Sequence, residues 1–214
     1  MTNQNHPKKL LVEGPDDKHV VPPLMEANGV AWPDKHRPVE IRTFDGLPKL
    51  LKPGVIEALL KSSGTRIVGI VVDADENAQT RYQEIRARCI GVFPELDPIL
   101  PSTGVIKTHN ELKLGIWIMP NNEAKGMLET FLLTLASSTQ SQLVRYAREA
   151  CERARSLGAN YKNVQMDKAH IRTWLAWQDE PGALFGTAIK SGSLDPKSSE
   201  ATAFVAWFRN LFEF

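Results

Sequence analysis

Two acidic loops, each directly after a hydrophobic run, constrain the fold of this chain more than any other feature. The run Lys8–Val12 leads into Glu13, and the run 67–72 leads into Asp73 and Asp75. Short apolar runs rich in β-branched residues that end in turn-forming residues are typical of buried strands in a parallel sheet. Such sheets place their functional groups at the carboxyl ends of the strands. We therefore expect Glu13, Asp73 and Asp75 to meet at one edge of a sheet.

Carboxylates that meet at one sheet edge repel one another unless a cation lies between them. Hard divalent cations such as Mg²⁺ or Mn²⁺ prefer carboxylate oxygens as ligands. The sequence thus predicts a metal site formed by Glu13, Asp73 and Asp75, with the same residues as the catalytic groups. The alternative for Glu13 is a structural role, in which its carboxylate stabilises the positive N-terminal end of the following helix.

Other polar residues are candidates for the same site. Glu129 stands in an otherwise apolar helical stretch and is predicted to be an additional metal ligand. Asp17 either supports the metal ligands as a neighbouring carboxylate that does not itself bind the ion, or caps the helix that follows the first strand. Lys18 could support the site by facing a substrate phosphate, and its alternative is a solvated helix surface.

Strands alternate with helical segments through the first part of the chain, and helical patterns dominate after Met127. This order predicts an α/β fold with a mostly parallel sheet flanked by helices. We expect an α/β domain over residues 8–135 and a helical extension over residues 136–214 that packs on the core. Pro15-Asp16-Asp17 favours the start of a helix that runs toward Asn28-Gly29, and the alternative is a start at Pro22-Pro23, which interrupt the pattern. The stretch 182–197, rich in Gly, Ser and Pro, is expected to be flexible.

Composition limits the class of protein. With 42% hydrophobic and 24% charged residues, the chain is unlike disordered or membrane proteins. It contains no run of roughly 18 apolar residues, the length that a membrane-spanning helix needs, and we expect no membrane partner and a cytoplasmic location. Cys89 and Cys151 lack the spacing of a zinc site, so buried thiols in a reducing cytosol are expected. Because the formal net charge is only +1, a nucleic-acid partner would need a local basic patch.

The motif pair Leu11-Val12-Glu13-Gly14 and Val71-Val72-Asp73-Ala74-Asp75 resembles the Toprim domain, a metal-binding module of topoisomerases, bacterial primases and nucleases. The stop Pro120-Asn121-Asn122 and the run Met127-Leu128-Glu129 are similar to those of stand-alone bacterial Toprim-like proteins, the family DUF3226. The resemblance covers the chain up to Glu129. Neither a zinc ribbon nor a helicase segment accompanies it, which argues against a complete topoisomerase or primase.

The resemblance implies a Toprim-like fold in which Glu13, Asp73 and Asp75 hold Mg²⁺ or Mn²⁺ for phosphodiester or phosphoryl chemistry. The leading hypothesis is a Mg²⁺-dependent nuclease, a hydrolase that acts on nucleic acid. The alternatives are a nucleotidyl or phosphoryl transferase with the same metal site, and a non-catalytic metal-binding module that docks a partner. The resemblance further implies a role in bacterial defence beside an ATPase partner protein. Whether the chain forms a homo-oligomer is left open.

Overall fold

The sheet of the molecule has five strands. The structure, a computed structural model, describes residues 6–214 apart from the side chains of residues 137 and 139. The strands are β1 (Lys8–Val12), β2 (Glu40–Thr43), β3 (Ile67–Asp73), β4 (Val105–His109) and β5 (Leu112–Met119). They lie in the order β2-β1-β3-β5-β4, and only β4 runs antiparallel to its neighbour. The prediction of a mostly parallel sheet flanked by helices is confirmed.

Eight α-helices surround the sheet within the described residues. They are α1 (Pro15–Ala27), α2 (Leu47–Leu50), α3 (Val55–Leu60), α4 (Ala78–Cys89), α5 (Leu128–Ser156), α6 (Met166–Leu175), α7 (Phe185–Lys190) and α8 (Ser199–Phe212). A short 3₁₀ turn, Asn163–Gln165, precedes α6.

The first helix has the earlier of its two predicted starts, and the stretch that was predicted to be flexible contains a helix. The first helix begins at Pro15, where a missing N–H costs nothing, and it continues through Pro22 and Pro23. The stretch 182–197 contains α7, whose residues Phe185 and Ile189 are buried. Burial of these apolar side chains outweighs the Gly, Ser and Pro content that predicted flexibility, because tertiary packing supplies most of the stability of a short helix.

Side chains alternate between the two faces of the sheet and build a core on each. Leu10 of β1 lies in the core that contains residues of α1, α5, α6, α7 and α8, whereas Leu11 lies in the core that contains residues of α2, α3 and α4. The C-terminal helix α8 approaches the sheet closely because Gly69 and Gly115 have no side chains there, and a Cβ at Gly115 would overlap with Leu211. The C-terminal helices are therefore part of one of the two cores.

The predicted division at residues 135 and 136 falls inside α5, which has a kink at Gln140. The division into two domains stays a prediction. None of the helices within residues 6–214 is long and apolar enough to cross a membrane. Cys89 and Cys151 are buried free thiols, as predicted, and burial raises the pKa of Cys89 to about 12.

Candidate functional site

The adjacency of β1 and β3 brings Glu13 and Asp73 together. The two strands are parallel neighbours with Val12 beside Val71, so the residues that follow them emerge at the same edge of the sheet. Glu13 Oε1 accepts a hydrogen bond from the backbone N–H of Asp73 at 2.8 Å. The two residues named by the sequence motif are thus in direct contact.

Asp73 also contacts the start of α5. Its Oδ1 accepts a hydrogen bond from the N–H of Leu128 at 2.8 Å, where the positive end of the helix stabilises a negative charge. Backbone hydrogen bonds between Asp75 and Gly126, of 2.9 and 2.8 Å, hold the two loops side by side. Gly126 has a φ of 133°, and a Cβ there would overlap with Thr130. The glycine is therefore required for this approach.

Asp17 and Glu129, which are buried, join the partly buried Glu13 and Asp73 in a group that we call the acidic cluster: Glu13, Asp17, Asp73 and Glu129. Asp17 is only 8% exposed, and its Oδ2 accepts a hydrogen bond from the N–H of Gly14 at 3.1 Å. Glu129, in the first turn of α5, is only 5% exposed. The sequence predicted that Asp17 supports the ligands or caps a helix and that Glu129 is a metal ligand. The fold places both residues beside Asp73.

Three residues of the acidic cluster, Glu13, Asp17 and Asp73, have raised pKa values and so hold their protons more tightly than ordinary carboxylates do. Burial raises the pKa of Asp17 to about 7, with the charge of Glu13 adding to the effect. Burial also raises the pKa of Asp73 well above its usual range, and the charges of Asp17, Glu13 and Glu129 raise it further. The pKa of Glu13 is raised mainly by burial, against the hydrogen bond from Asp73. A neutral or cation-bound state is therefore favoured here.

Asp75 lies apart from the buried carboxylates. Its side chain is 54% exposed, and its Oδ2 lies 2.5 Å from a terminal nitrogen of Arg81. The same guanidinium donates from Nε to the carbonyl of Asp73 at 2.9 Å. Asp75 has a left-handed φ of 51°, which aspartate adopts more readily than most residues. Its charge still raises the pKa of Glu13.

Two cations border the acidic cluster, and sequence reasoning assigned neither of them to the site. Arg81 could have been found, since it falls in the helix that directly follows the second acidic loop. Lys168, whose Nζ lies 3.1 Å from Glu129 Oε1, comes from α6 and is brought there only by tertiary packing. Lys18, which was predicted to support the site, is exposed on α1 and has no hydrogen-bond or ion-pair partner within residues 6–214.

Carboxylate oxygens are the ligands that Mg²⁺ and Mn²⁺ prefer, so the acidic cluster fits such an ion in chemistry and charge. As the side chains stand, no three His, Cys, Asp or Glu residues of the described part are grouped closely enough to hold a metal ion. Backbone N–H groups occupy one oxygen each of Glu13 and Asp73 instead. A cation would therefore have to draw these carboxylates together when it binds.

Comparisons with known proteins identify a family but no activity. No curated protein and no solved structure matches the chain. The model of the family DUF3226, described as a protein of unknown function, matches residues 7–213, which is nearly the whole chain and includes both the sheet and the C-terminal helices. The chain therefore belongs to the DUF3226 family.

Proposed function

We propose that the acidic cluster binds Mg²⁺ or Mn²⁺ and hydrolyses phosphodiester bonds of a nucleic acid. The observation that supports this most strongly is the grouping of buried Asp17 and Glu129 with partly buried Glu13 and Asp73, together with raised pKa values at Glu13, Asp17 and Asp73. Lys168 and Arg81 supply the neighbouring positive charge. A divalent cation would replace the protons and offset the repulsion between the carboxylates.

A bound divalent ion supplies an activated water and polarises a phosphoryl oxygen. Glu13 and Asp73 would hold the ion from the ends of adjacent strands, with Glu129 and Asp75 as further ligands. Asp17, which is buried beside Glu13, would ionise once a cation offsets the repulsion within the acidic cluster, and its carboxylate would then be able to accept a proton from the attacking water.

A Toprim-like fold is part of the proposal. Its support is the order of the acidic residues on the sheet: a glutamate after β1, and an Asp-x-Asp after the parallel neighbour β3. Nucleotidyl or phosphoryl transfer would use the same ion with a different acceptor. The defence role and the ATPase partner stay predictions from the resemblance.

A non-catalytic metal-binding module is the second candidate. The observation in its favour is that Asp75 and Glu129 already have cationic partners, Arg81 and Lys168. Such a module would gain stability from the ion and dock a partner without turnover. The two candidates differ in what one substitution should do.

The test is Asp73→Asn, with Asp179→Asn as the matched control on an exposed residue. The asparagine oxygen can still accept from Leu128, so the variant should fold, and its metal-free stability should equal or exceed that of wild type because one buried charge is gone. If the site is catalytic, turnover should fall by about a hundredfold or more, the cost of removing one charge-stabilising group.

The measurements are thermal unfolding with and without Mn²⁺, and cleavage of single- and double-stranded DNA and RNA with Mg²⁺ and with Mn²⁺. The nuclease proposal fails if wild-type protein cleaves none of these substrates, or if Asp73→Asn cleaves as fast as wild type. Stabilisation of wild type by Mn²⁺ without cleavage would favour the binding module.

A further inference from the structure

A cleft of about 330 Å³ lies beside α1. One wall is α1 from Lys18 to Glu26, the second wall is α7 with Thr187, and the third is the segment that leads from α1 into β2. No part of the proposed metal site lines it. The cleft is therefore a concave surface separate from the acidic cluster, and α1 connects the two.

The cleft runs from the acidic cluster toward the opposite end of the sheet. Lys18 directly follows Asp17 of the acidic cluster, and Glu26 lies about 12 Å further along the helix axis at 1.5 Å per residue. Arg37 lies just before β2, and its carbonyl oxygen is 3.0 Å from His6 Nε2, just before the parallel strand β1. Arg37 is therefore at the amino end of the sheet, whereas Lys18 is near the carboxyl end.

Each end of the cleft has a cation without a counter-ion. Lys18 and Arg37 are exposed, and neither side chain has a hydrogen-bond or ion-pair partner within the described part of the chain. The third lysine or arginine of the lining, Lys190, lies 3.7 Å from Glu26 and is already paired. Asp34 is the other carboxylate of the lining. The cleft thus offers two separated positive charges to an anionic ligand.

The lining also contains apolar side chains, Pro22, Trp32 and Ile41, which we call the apolar floor of the cleft. Trp32 is 8% exposed and packs against Phe208 with ring centroids 6.1 Å apart. A volume of 330 Å³ is at the lower end of the range for small-molecule pockets, about 300 to 1,000 Å³. A single nucleoside fits such a volume, whereas a duplex keeps its bases stacked inside and presents mainly its outer phosphates to a protein surface.

We propose that this cleft binds a segment of single-stranded nucleic acid, with a nucleoside on the apolar floor and the phosphates on either side of it at Lys18 and Arg37. Proteins that bind single strands combine a cationic groove with apolar or aromatic contacts to the bases. A free mononucleotide carries phosphate on one side only and would satisfy one of the two cations. The proposal rests on the proposed function in one respect: the strand would continue from Lys18 to the acidic cluster.

The experiment measures binding without catalysis. A fluorescently labelled oligothymidylate and a labelled oligouridylate are titrated with protein in EDTA, and anisotropy is followed over a series of salt concentrations. The test variants are the double substitution Lys18→Gln, Arg37→Gln and the single substitution Thr187→Glu, which adds a negative charge at an exposed position of the cleft. The matched control is Lys52→Gln, Arg88→Gln, on exposed residues beside the helices of the other face.

The double variant should bind roughly tenfold more weakly, and its slope of log K against log salt should be shallower by about 1.4, since two phosphate contacts to a single strand are lost. Thr187→Glu should also weaken binding, and the control should bind as wild type does. Equal affinity and equal salt slope in the double variant and the control would overturn the proposal. So would tighter binding of a duplex, or displacement of the oligonucleotide by thymidine monophosphate at the same concentration as by unlabelled strand.

The experiments can refute the nuclease proposal and the cleft proposal independently of each other. Asp73→Asn should bind the oligonucleotide as wild type does or more tightly, because it lacks one repelling charge, even where it cleaves nothing. Cation-dependent cleavage with unchanged binding in the Lys18→Gln, Arg37→Gln variant would refute the cleft and leave the nuclease standing. If the Lys18→Gln, Arg37→Gln variant loses oligonucleotide binding but wild-type protein cleaves no substrate, the cleft proposal stands and the nuclease proposal is refuted.

Discussion

The two ends of the sheet bury charge in opposite ways. At the amino end, Lys9 of β1 is fully buried, and its Nζ donates to the hydroxyl oxygens of Ser62, at 3.0 Å, and of Thr65. At the carboxyl end, Glu13, Asp17, Asp73 and Glu129 share one region, and backbone N–H groups bond Glu13, Asp17 and Asp73. One end holds a single ion among neutral acceptors, whereas the other holds several like charges.

This difference is the one that we expect between a structural buried charge and the proposed functional site. The amino end needs no further ligand, because the hydroxyls of Ser62 and Thr65 also hydrogen-bond each other at 2.6 Å. The carboxyl end keeps its raised pKa values even after its backbone hydrogen bonds are made. Perturbed groups in a like-charged set are more informative about function than burial alone.

The two ends should therefore give stability slopes of opposite sign with pH. The pKa of Asp17 rises from 3.8 to about 7 on folding, so between these values the unfolded chain holds fewer protons and stability falls as pH rises. Burial lowers the pKa of Lys9 from 10.5, so below that value the unfolded chain holds more protons and stability increases with pH.

The largest effect is expected for Asp17→Asn. Ionising wild-type Asp17 above about pH 7 costs up to roughly 4 kcal/mol, at 1.36 kcal/mol per pKa unit, and the amide avoids this while its oxygen still accepts from Gly14. The free energy of unfolding, from urea titrations, should exceed that of wild type at about pH 8 and match it at about pH 4. Asp16→Asn is the neighbouring control. An equal gain at both pH values would show that the carboxylate charge is not the cause.

A smaller effect is expected for Arg81→Gln, which removes a cation beside the acidic cluster at the carboxyl end of the sheet. The variant loses the contacts to the carbonyl of Asp73 and to Asp75, and stability should fall by about 1 to 2 kcal/mol. Release of Asp75 should also strengthen Mn²⁺ binding severalfold, as measured by calorimetry. Arg88→Gln, on an exposed residue of the same helix, is the control. Unchanged Mn²⁺ affinity would exclude Asp75 as a ligand.

The smallest effect is expected at the amino end, for Lys9→Met. The methionine fills similar space, the hydroxyls of Ser62 and Thr65 keep their mutual hydrogen bond, and the cost of burying an ammonium is removed. Stability at neutral pH should change by about 1 kcal/mol or less, toward greater stability. The difference from wild type should shrink as pH rises toward 10.5. Stability is measured by chemical denaturation. A large loss of stability would show that the charge of Lys9 is required, and the two ends of the sheet would then not differ in the way described.

Much of the site could be predicted because it depends on strand order. An apolar run followed by an acid is visible in the sequence at Glu13 and at Asp73, and parallel neighbouring strands place their carboxyl ends at one edge. The DUF3226 similarity was predicted from these residues together with Pro120-Asn121-Asn122 and Met127-Leu128-Glu129, and it is confirmed over residues 7–213. The metal, the nucleic-acid substrate and the chemistry stay predictions.

Only the tertiary structure decided which acids are buried together. The sequence places Asp16 and Asp17 side by side, yet Asp17 is buried beside Glu13 whereas Asp16 lies 3.5 Å from Arg172. The sequence also places Asp75 two residues after Asp73, yet the side chain of Asp75 is half exposed beside Arg81. The physical reason is that local sequence sets the strand and its turn, whereas helix packing sets which side of each turn is buried. The positions of α5 and α6, which supply Glu129 and Lys168, depend on contacts far apart in the chain.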